Sequence, residues 1–404
     1  MASKAGKDFN MDEKLPLICI SQPSWDGNYL KSTVELMKQI ALYRTVIYVD
    51  YQYTFKDVWQ RYNEQDFPLQ NILGRKFRKP FPDRNLYVVN ALPAIPVNWI
   101  KSTQTYQKLY KINAMLVEQA IWNIRKKLDI EKAEWLVAMA PALGLHLKKK
   151  WPDEQFWYYC YDQIKAADYL SNHGGSLEQK FLPEATGIIC SSQSLLEEKS
   201  QMQPNAHLLE NGVDFDLFNQ AKRIPQIRPV IGYVGSIDDR LDLNLLTNLI
   251  ENLPGYQFQF IGRQVSKTVV NSLSVYSNVE LLPPVAPEHL GATMGSFSIG
   301  IIPFVKNEFT RHIYPLKINE YLALGLPVIT TSFSNLAAFG GIIKIADQTE
   351  EFITAIQNEL KSDSIAQMTF RKKIASQNSW ANRAKQLNQV ISRQKGAERD
   401  AEMV

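Results

Sequence analysis

Short apolar runs alternate with longer amphipathic stretches along the first half of the chain. Between the apolar runs lie stretches with a helical period, at Lys31–Leu42 and Gln104–Leu128. Strands that alternate with helices build a parallel sheet covered by helices on both faces. The runs that we predict to be buried strands are Leu17–Ile20, Thr45–Asp50, Leu86–Leu92, Trp135–Ala140, Phe156–Tyr161 and Gly187–Ser191.

The alternation stops at Asn219–Pro229 and then starts again. This stretch, NQAKRIPQIRP, is polar, contains two prolines and has no apolar period, which is typical of a linker. After it we predict strands at Val230–Val234, Tyr256–Ile261, Asn278–Leu282, Phe297–Phe304 and Pro327–Thr330, and helices at Asp242–Leu253, Pro315–Leu324 and Ser379–Arg393.

The fold class predicted from this pattern is α/β, with two doubly wound, Rossmann-like domains that face each other across a cleft. Such sheets bind ligands outside the carboxyl ends of their strands. The predicted division is a flexible N-terminus (1–14), an N-terminal domain (15–218), a linker (219–229), a C-terminal domain (230–378), a final polar helix (379–395) and a disordered tail (396–404).

Composition narrows the class of protein. Hydrophobic residues make up 45% of the 404 residues and charged residues 21%, which is ordinary for a globular protein. The net charge of +4 is too small to indicate a nucleic-acid partner. Cys19, Cys160 and Cys190 form no CxxC pair and lie in apolar runs, so we expect buried thiols rather than a disulfide or a metal site. Because no signal peptide or spanning segment is visible, we expect a cytoplasmic protein, at most peripheral to the inner face of a membrane.

The first candidate site is the turn after the strand Val230–Val234, in VIGYVGSIDDRLDLNLL. Glycine at Gly235-Ser236 lets backbone amides approach an anion, and Arg240 is a candidate cation for a phosphate. A tight turn with a solvated arginine explains the same residues equally well. The nicotinamide-binding GxGxxG spacing is absent.

The second candidate site is the helix in YPLKINEYLALGLPVITT. Lys317 and Glu320 are three residues apart and therefore neighbours on one face. A lysine in the first turn of a helix is disfavoured by the helix dipole unless it binds an anion. The sequence thus favours a ligand phosphate, while a surface ion pair is the alternative.

Asp162 ends the apolar run FWYYCYD, at the carboxyl end of a predicted strand. A carboxylate there is able to orient or deprotonate a hydroxyl group. It is equally suited to cap the following helix.

The segment GRKFRKPFPDR (Gly74–Arg84) interleaves basic and aromatic residues. Its basic part, Arg75–Arg84, suits contact with an anionic lipid surface or a phosphorylated acceptor. The alternative is a solvated charged loop.

These motifs, in this order, resemble the GT-B glycosyltransferases, specifically the family 4-like retaining enzymes and their bacterial teichuronic acid biosynthesis branch. The resemblance covers most of the chain after Leu17. It rests on SQPSWDG (Ser21–Gly27), WYYCYD (Trp157–Asp162), ICSSQSLL (Ile189–Leu196), ENGVDFDLF (Glu210–Phe218), the two sites above, FQFIGR (Phe258–Arg263) and NSWANRAKQL (Asn378–Leu387).

The resemblance implies a nucleotide-sugar donor, with a UDP-, GDP- or dTDP-sugar in the C-terminal domain. Glu320 would bind the ribose hydroxyls, and Lys317 with Gly235-Ser236 would meet the diphosphate. The other donor-side residues that it implies are Arg240, Arg263, Val285, Thr310 and Tyr314. The resemblance also implies that the final helix, 379–395, returns toward the N-terminal domain. On the acceptor side it implies Trp25, Asp26 and Gly27, with Asp162 or His312 orienting the hydroxyl group.

The acceptor that the resemblance implies is a glycan, a lipid-linked glycan or a small molecule in polysaccharide or glycoconjugate biosynthesis. No cofactor, metal or nucleic acid is implied. The first glutamate of the family's E-x7-E pattern would fall at His312, and Arg240 lies one residue nearer its glycine than usual. The alternatives are a nucleotide-sugar-binding protein without catalysis and a GT-B sugar-nucleotide epimerase.

Overall fold

The computed structural model describes residues 14–26, 31–64, 67–73, 77–164 and 172–402, which group into two compact units. The N-terminal unit contains the chain up to Ser191, residues 195–209 and the residues from Ala384 onward. The C-terminal unit contains residues 192–194 and Glu210–Arg383. The chain thus changes unit at Glu210, before the predicted linker, because Phe218 and its neighbours are apolar and buried in the C-terminal unit.

Eight described strands form the sheet of the N-terminal unit. All neighbouring pairs are parallel except β3 with β4. The strands are β1 (Leu17–Ser21), β2 (Val46–Val49), β3 (Phe77–Arg78), β4 (Leu86–Val89), β5 (Glu134–Ala138), β6 (Phe156–Cys160), β7 (Gly187–Cys190) and β8 (Ala206–Leu208), in the order β3-β4-β2-β1-β5-β6-β7-β8.

The helices of this half include the two that the sequence pattern predicts, near Lys31–Leu42 and Gln104–Leu128. They are α1 (Ser32–Ile40), α2 (Phe55–Arg61), α3 (Leu69–Leu73), α4 (Thr103–Lys127), α5 (Pro141–Lys148), α6 (Gly174–Phe181) and α7 (Gln193–Lys199). The central strands are buried on both faces: every residue of β6, for example, is buried, and the ring centres of Trp135 and Phe156 stack 4.7 Å apart. The three cysteines are free and buried, as expected.

The C-terminal unit has a parallel sheet with the strand order of dinucleotide-binding folds, β11-β10-β9-β12-β13-β14. Its strands are β9 (Val230–Val234), β10 (Gln257–Ile261), β11 (Val279–Leu282), β12 (Ile299–Ile302), β13 (Val328–Thr330) and β14 (Lys344–Ile345). Its helices are α8 (Phe215–Asn219), α9 (Leu243–Asn252), α10 (Lys267–Leu273), α11 (Pro287–Met294), α12 (Leu316–Ala323), α13 (Thr349–Ser362) and α14 (Ile365–Gln377).

The last helix, α15 (Trp380–Glu402), starts in the C-terminal unit and belongs to the N-terminal unit from Ala384 onward. It is longer than predicted and includes most of the stretch (396–404) that we expected to be disordered, because that stretch is free of proline and contains good helix formers. Within the described part of the chain, no helix has the length and apolarity that crossing a membrane requires. The predicted fold class, α/β with two parallel-sheet domains, is confirmed.

Candidate functional site

At the carboxyl edge of the C-terminal sheet, the strands β9 and β12 stop pairing. The two strands pair only at Ile231 and Gly232. Further along β9, the amide of Val234 donates instead to the hydroxyl of Tyr321 at 2.9 Å. Tyr321 is fully buried and belongs to α12, so this bond ties α12 to the end of β9. Such a change of strand order is where open α/β sheets bind ligands.

The turn after β9 is held by the neighbouring turn after β10. The Gly235 amide donates to the carbonyl of Ile261, and the Tyr233 hydroxyl donates to the carbonyl of Ser236. Gly262 has φ +154°, and a Cβ built on it would overlap the carbonyl oxygen of Gly235. Only glycine allows the two turns to approach this closely. The predicted phosphate turn, Gly235-Ser236, is therefore a rigid, backbone-lined feature.

Replacing Gly262 by alanine is expected to destabilise the C-terminal unit by roughly 2–4 kcal/mol, because the new methyl group meets the Gly235 carbonyl in a backbone region unfavourable for L-residues. Chemical denaturation measures this free energy. Gly255→Ala is the matched control, because a Cβ there meets no atom within 4 Å and the residue is exposed. Equal stability of the two variants would contradict the close approach.

Arg240, the predicted phosphate cation, is engaged by Asp238. Its Nε and Nη2 donate to the two carboxylate oxygens at 2.8 and 2.7 Å. Its guanidinium also lies 5.4 Å from the centre of the Phe304 ring. For Arg240 to contact a phosphate, therefore, either its ion pair with Asp238 has to open or its guanidinium has to bind Asp238 and the phosphate together.

Lys317 and Glu320 form an ion pair on α12, with Nζ 2.6 Å from Oε2. The two partners differ in exposure: the side chain of Glu320 is 6% exposed and that of Lys317 is 28% exposed. A buried carboxylate is costly without a partner, so this pair differs from the surface pair considered as the alternative. Lys317 neutralises Glu320 and still presents part of its side chain to solvent.

The turn ahead of α12 uses Thr310 and His312 internally. Thr310 is fully buried, donates to the Val305 carbonyl at 2.6 Å and accepts from the Asn307 amide. His312 is 1% exposed; its Nδ1 lies 3.1 Å from the Ser194 hydroxyl and its Nε2 lies 3.3 Å from a carboxylate oxygen of Glu308. The structure thus places both predicted site residues inside the turn, where they fix its shape.

A chain of buried polar side chains runs from Tyr314 to Glu210. Asn319 donates to the Tyr314 hydroxyl at 2.9 Å and accepts from Asn378 at 3.0 Å. Arg383 donates both to Asn378 at 3.0 Å and to Glu210 at 3.2 Å. Burial raises the pKa of Tyr314 and also that of Glu210. Asn319 was not predicted as a site residue, and Asn378 was noted only as the first residue of the motif NSWANRAKQL.

The two other predicted donor residues lie in loops at the same edge of the sheet. The backbone carbonyl of Arg263, directly after Gly262, accepts from the Ile237 amide at 2.8 Å. Val285 follows β11 and is partly exposed. Their roles toward a ligand stay predictions.

The N-terminal unit contains a cavity of about 310 Å³ at the carboxyl edge of its sheet. The strand order of this sheet also reverses beside β1, so the position matches the ligand-binding edge of an α/β fold. Aromatic and amide side chains line it, among them Tyr51, Gln52, Asn98, Trp99, Tyr106, Tyr110 and Asn113.

Asp50 organises one wall of this cavity. Its carboxylate accepts from the amides of Trp25 at 2.6 Å and Tyr51 at 2.9 Å, and from the Asn90 side chain at 2.9 Å. Burial raises the pKa of Asp50, and these hydrogen bonds oppose the rise. Sequence reasoning missed Asp50, although it identified Trp25, the residue that Asp50 holds.

The remaining predicted acceptor-side residues have other partners. Asp26 pairs with Arg78, and Gly27 lies outside the described residues. Asp162 accepts from the Gln163 amide at 2.8 Å and is exposed. It does not line the cavity just described.

Several basic side chains of the predicted lipid-contacting segment, Arg75–Arg84, bind within the N-terminal unit. Besides the contact of Arg78 with Asp26, Arg84 donates to the Lys38 carbonyl at 2.9 Å and lies over the ring of Phe81. Lys79 donates to the Pro82 carbonyl at 3.2 Å. Arg75 and Lys76 lie outside the described residues.

Comparison with known proteins identifies the class. Residues 228–362, which lie in the C-terminal unit, match the family model described as glycosyl transferases group 1. The resemblance of the sequence motifs to GT-B glycosyltransferases is confirmed, while its finer part, the family 4-like retaining class, stays a prediction. The chain is 29% identical over 170 residues to the putative teichuronic acid biosynthesis glycosyltransferase TuaH of Bacillus subtilis (strain 168). That match covers 39% of this chain and 43% of the relative.

Solved structures share the fold across nearly the whole chain. Sucrose-phosphate synthase from Thermosynechococcus elongatus superposes with a TM-score of 0.69 at 14% identity, over 95% of this chain and 100% of that one. An E. coli structure titled trehalose-6-phosphate bound with UDP-2-fluoro glucose gives 0.66 at 10% identity, over 93% and 99% of the chains. These similarities establish the architecture.

Proposed function

We propose that this protein is a glycosyltransferase that moves a sugar from a nucleotide-sugar to an acceptor hydroxyl group, with retention, in bacterial polysaccharide or glycoconjugate biosynthesis. The observation that carries the proposal is the Tyr321–Val234 bond. It ties α12, which carries the Lys317–Glu320 pair, to the end of β9, which the glycine turn follows, within the residues that match the glycosyl transferases group 1 model.

The donor roles follow from the chemistry of these groups. Glu320 accepts hydrogen bonds from the ribose hydroxyls, while Lys317 and the Gly235-Ser236 amides face the diphosphate. The nucleotide base lies near Val285. Arg240 assists in binding the diphosphate once its guanidinium bonds both Asp238 and a phosphate. In this arrangement the Lys317–Glu320 pair holds the carboxylate in place before the donor binds, which avoids an unpaired buried charge.

The leaving group is a nucleoside diphosphate, and the protein has to stabilise its charge. When the bond from the sugar to the diphosphate breaks, negative charge develops on the diphosphate. A lysine and fixed backbone amides aimed at that position stabilise the developing charge without reorganising. The departing phosphate takes the proton of the acceptor hydroxyl, so we propose a reaction without a metal ion. The acceptor occupies the N-terminal cavity beside Asp50.

A thermal-shift screen against UDP-, GDP-, dTDP- and CMP-sugars tests the donor proposal. A donor present at 100 times its dissociation constant is expected to add roughly 2.7 kcal/mol to the free energy of unfolding. A protein that responds to none of these donors, although it is folded, would contradict the nucleotide-sugar site.

A nucleotide-sugar-binding protein without catalysis is the second candidate, and His312 favours it. The histidine occupies the position of the first motif glutamate and is buried against Ser194 and Glu308. Release of nucleoside diphosphate separates the two candidates. Donor binding without release, across a panel of glycan acceptors, would support the binding protein.

A further inference from the structure

Helix α4 presents two different faces. Its buried face carries Tyr106, Asn113 and Val117, which line the cavity of the N-terminal unit. Asn113 fixes the adjacent wall, because its side-chain amide both accepts from the Ile95 amide at 2.8 Å and donates to the Ile95 carbonyl at 2.9 Å. One helix therefore forms a cavity wall with its inner face.

The outer face of α4 carries large apolar side chains in solvent. Ile112, Met115 and Trp122 are 46%, 53% and 55% exposed. At 3.6 residues per turn these positions lie on the same side of the helix. Single exposed apolar residues are ordinary, but three on one helical stripe indicate a binding surface.

Basic residues complete this stripe. Lys108, Lys111 and Lys126 are exposed on the same side of α4. The single acidic residue of the helix, Glu118, is paired with His146 at 2.7 Å and Lys150 at 3.2 Å. The outer face thus combines exposed Ile, Met and Trp side chains with three lysines that form no ion pair with another residue of the described ranges. This is the composition of helices that lie in the interface of anionic membranes.

The charge pattern distinguishes between possible occupants. A second copy of the chain, packed face to face through α4, would bring the lysines of one helix next to those of the other. Repulsion between these like charges opposes association. An anionic lipid surface instead matches the lysines with phosphates and accepts the apolar side chains.

We propose that the outer face of α4 lies on an anionic membrane surface and that the acceptor is a lipid-linked glycan. The identity of the acceptor rests on the proposed transferase function; the membrane contact does not. A helix with its side chains is about 10–12 Å thick. The cavity on the inner face is therefore within reach of the glycan head of a lipid whose tail stays in the bilayer.

Vesicle co-sedimentation of the full chain tests the membrane contact, with phosphatidylcholine vesicles that contain or lack phosphatidylglycerol. For the triple variant Ile112→Ser, Met115→Ser, Trp122→Ser, the partition coefficient is expected to fall tenfold or more, because the apolar burial of these side chains in the bilayer interface is lost. A variant with Lys108, Lys111 and Lys126 replaced by Gln is expected to lose the preference for phosphatidylglycerol.

Trp59→Ser is the matched control, because Trp59 is more exposed (79%) but lies on α2. It is expected to bind vesicles like the wild type, which rules out a general effect of removing an exposed tryptophan. Undiminished binding by the triple variant would overturn the proposal. So would lipid-free dimerisation that the triple variant abolishes, because the face would then join two copies of the chain.

The kinetics of sugar transfer test the identity of the acceptor separately from the membrane contact. The triple variant is expected to raise KM for a lipid-linked acceptor in vesicles about tenfold, while transfer to a short water-soluble acceptor stays unchanged. Equal losses with both acceptors would overturn the acceptor assignment. If no donor and acceptor pair gives transfer but the triple variant still loses vesicle binding, the proposed transferase function fails and the membrane contact stands.

Discussion

Replacing Glu320 by alanine is expected to raise the dissociation constants of a nucleoside and of its diphosphate alike, by roughly 30- to 100-fold. The variant removes the carboxylate that accepts the ribose hydroxyls, and charge-assisted hydrogen bonds of this kind contribute about 2–3 kcal/mol. The fold should tolerate the change, because the partner left behind, Lys317, is partly exposed and regains water. Isothermal titration calorimetry with both ligands measures the effect.

Lys317→Met provides the contrast. The lysine is assigned to the diphosphate, so this variant is expected to weaken the nucleoside diphosphate and leave the nucleoside nearly unchanged. It should also melt at a lower temperature than the Glu320 variant, because it leaves a carboxylate that is 6% exposed without its partner. If neither variant alters nucleoside affinity, the ribose assignment of Glu320 is wrong, and the pair only stabilises α12.

The regular part of the fold was predictable because parallel strands buried on both faces appear as plain apolar runs. The run Val230–Val234 coincides with β9, and α12 begins next to the predicted Pro315. The helices α13 and α14 are among those that we did not predict. In α14 only Arg371 and Ala375 are buried, so the helix has no apolar stripe for a periodicity argument to find.

The candidate site was only partly predictable, for a related reason. Lys317 and Glu320 were identified because a lysine in a first helical turn conflicts with the helix dipole, which is a local signal. The partners that position the site are distant in sequence: Asn378 reaches Asn319 from 59 residues away, and Asp50 holds Trp25 from 25 residues away. Such contacts form only in the folded protein, and the spacing of these residues in the sequence does not indicate them.

A second large effect is expected in the N-terminal unit, where Lys199→Met should lower the free energy of unfolding by about 3–5 kcal/mol. Lys199 donates to Glu178 at 2.8 Å, and their side chains are 1% and 2% exposed. Tyr158 donates to the same carboxylate at 2.8 Å. Removing one partner of a buried ion pair leaves the other charge without compensation, which costs far more than the pair contributes.

The pH dependence of this contribution has a definite sign. Burial lowers the pKa of Lys199, but Glu178, Cys160 and Glu198 together outweigh burial, and the pKa is raised overall. A raised lysine pKa stabilises the folded state below the unfolded pKa of about 10.4, and the contribution is lost only as the pH rises through the folded value. The difference between wild type and variant should therefore stay constant across neutral pH and shrink in strong alkali.

Urea denaturation of the Lys199→Met and Arg61→Met variants compares the loss of a buried ion pair with the loss of an exposed one. Arg61 and Glu64 also form an ion pair, at 2.7 Å, but their side chains are 44% and 51% exposed. Water replaces the lost partner there, so that variant is expected to lose less than about 1 kcal/mol. The double variant Lys199→Met, Glu178→Leu should regain stability over the single one, because no charge is then left buried. If it is no more stable than Lys199→Met, the cost arises from lost packing rather than from an uncompensated carboxylate.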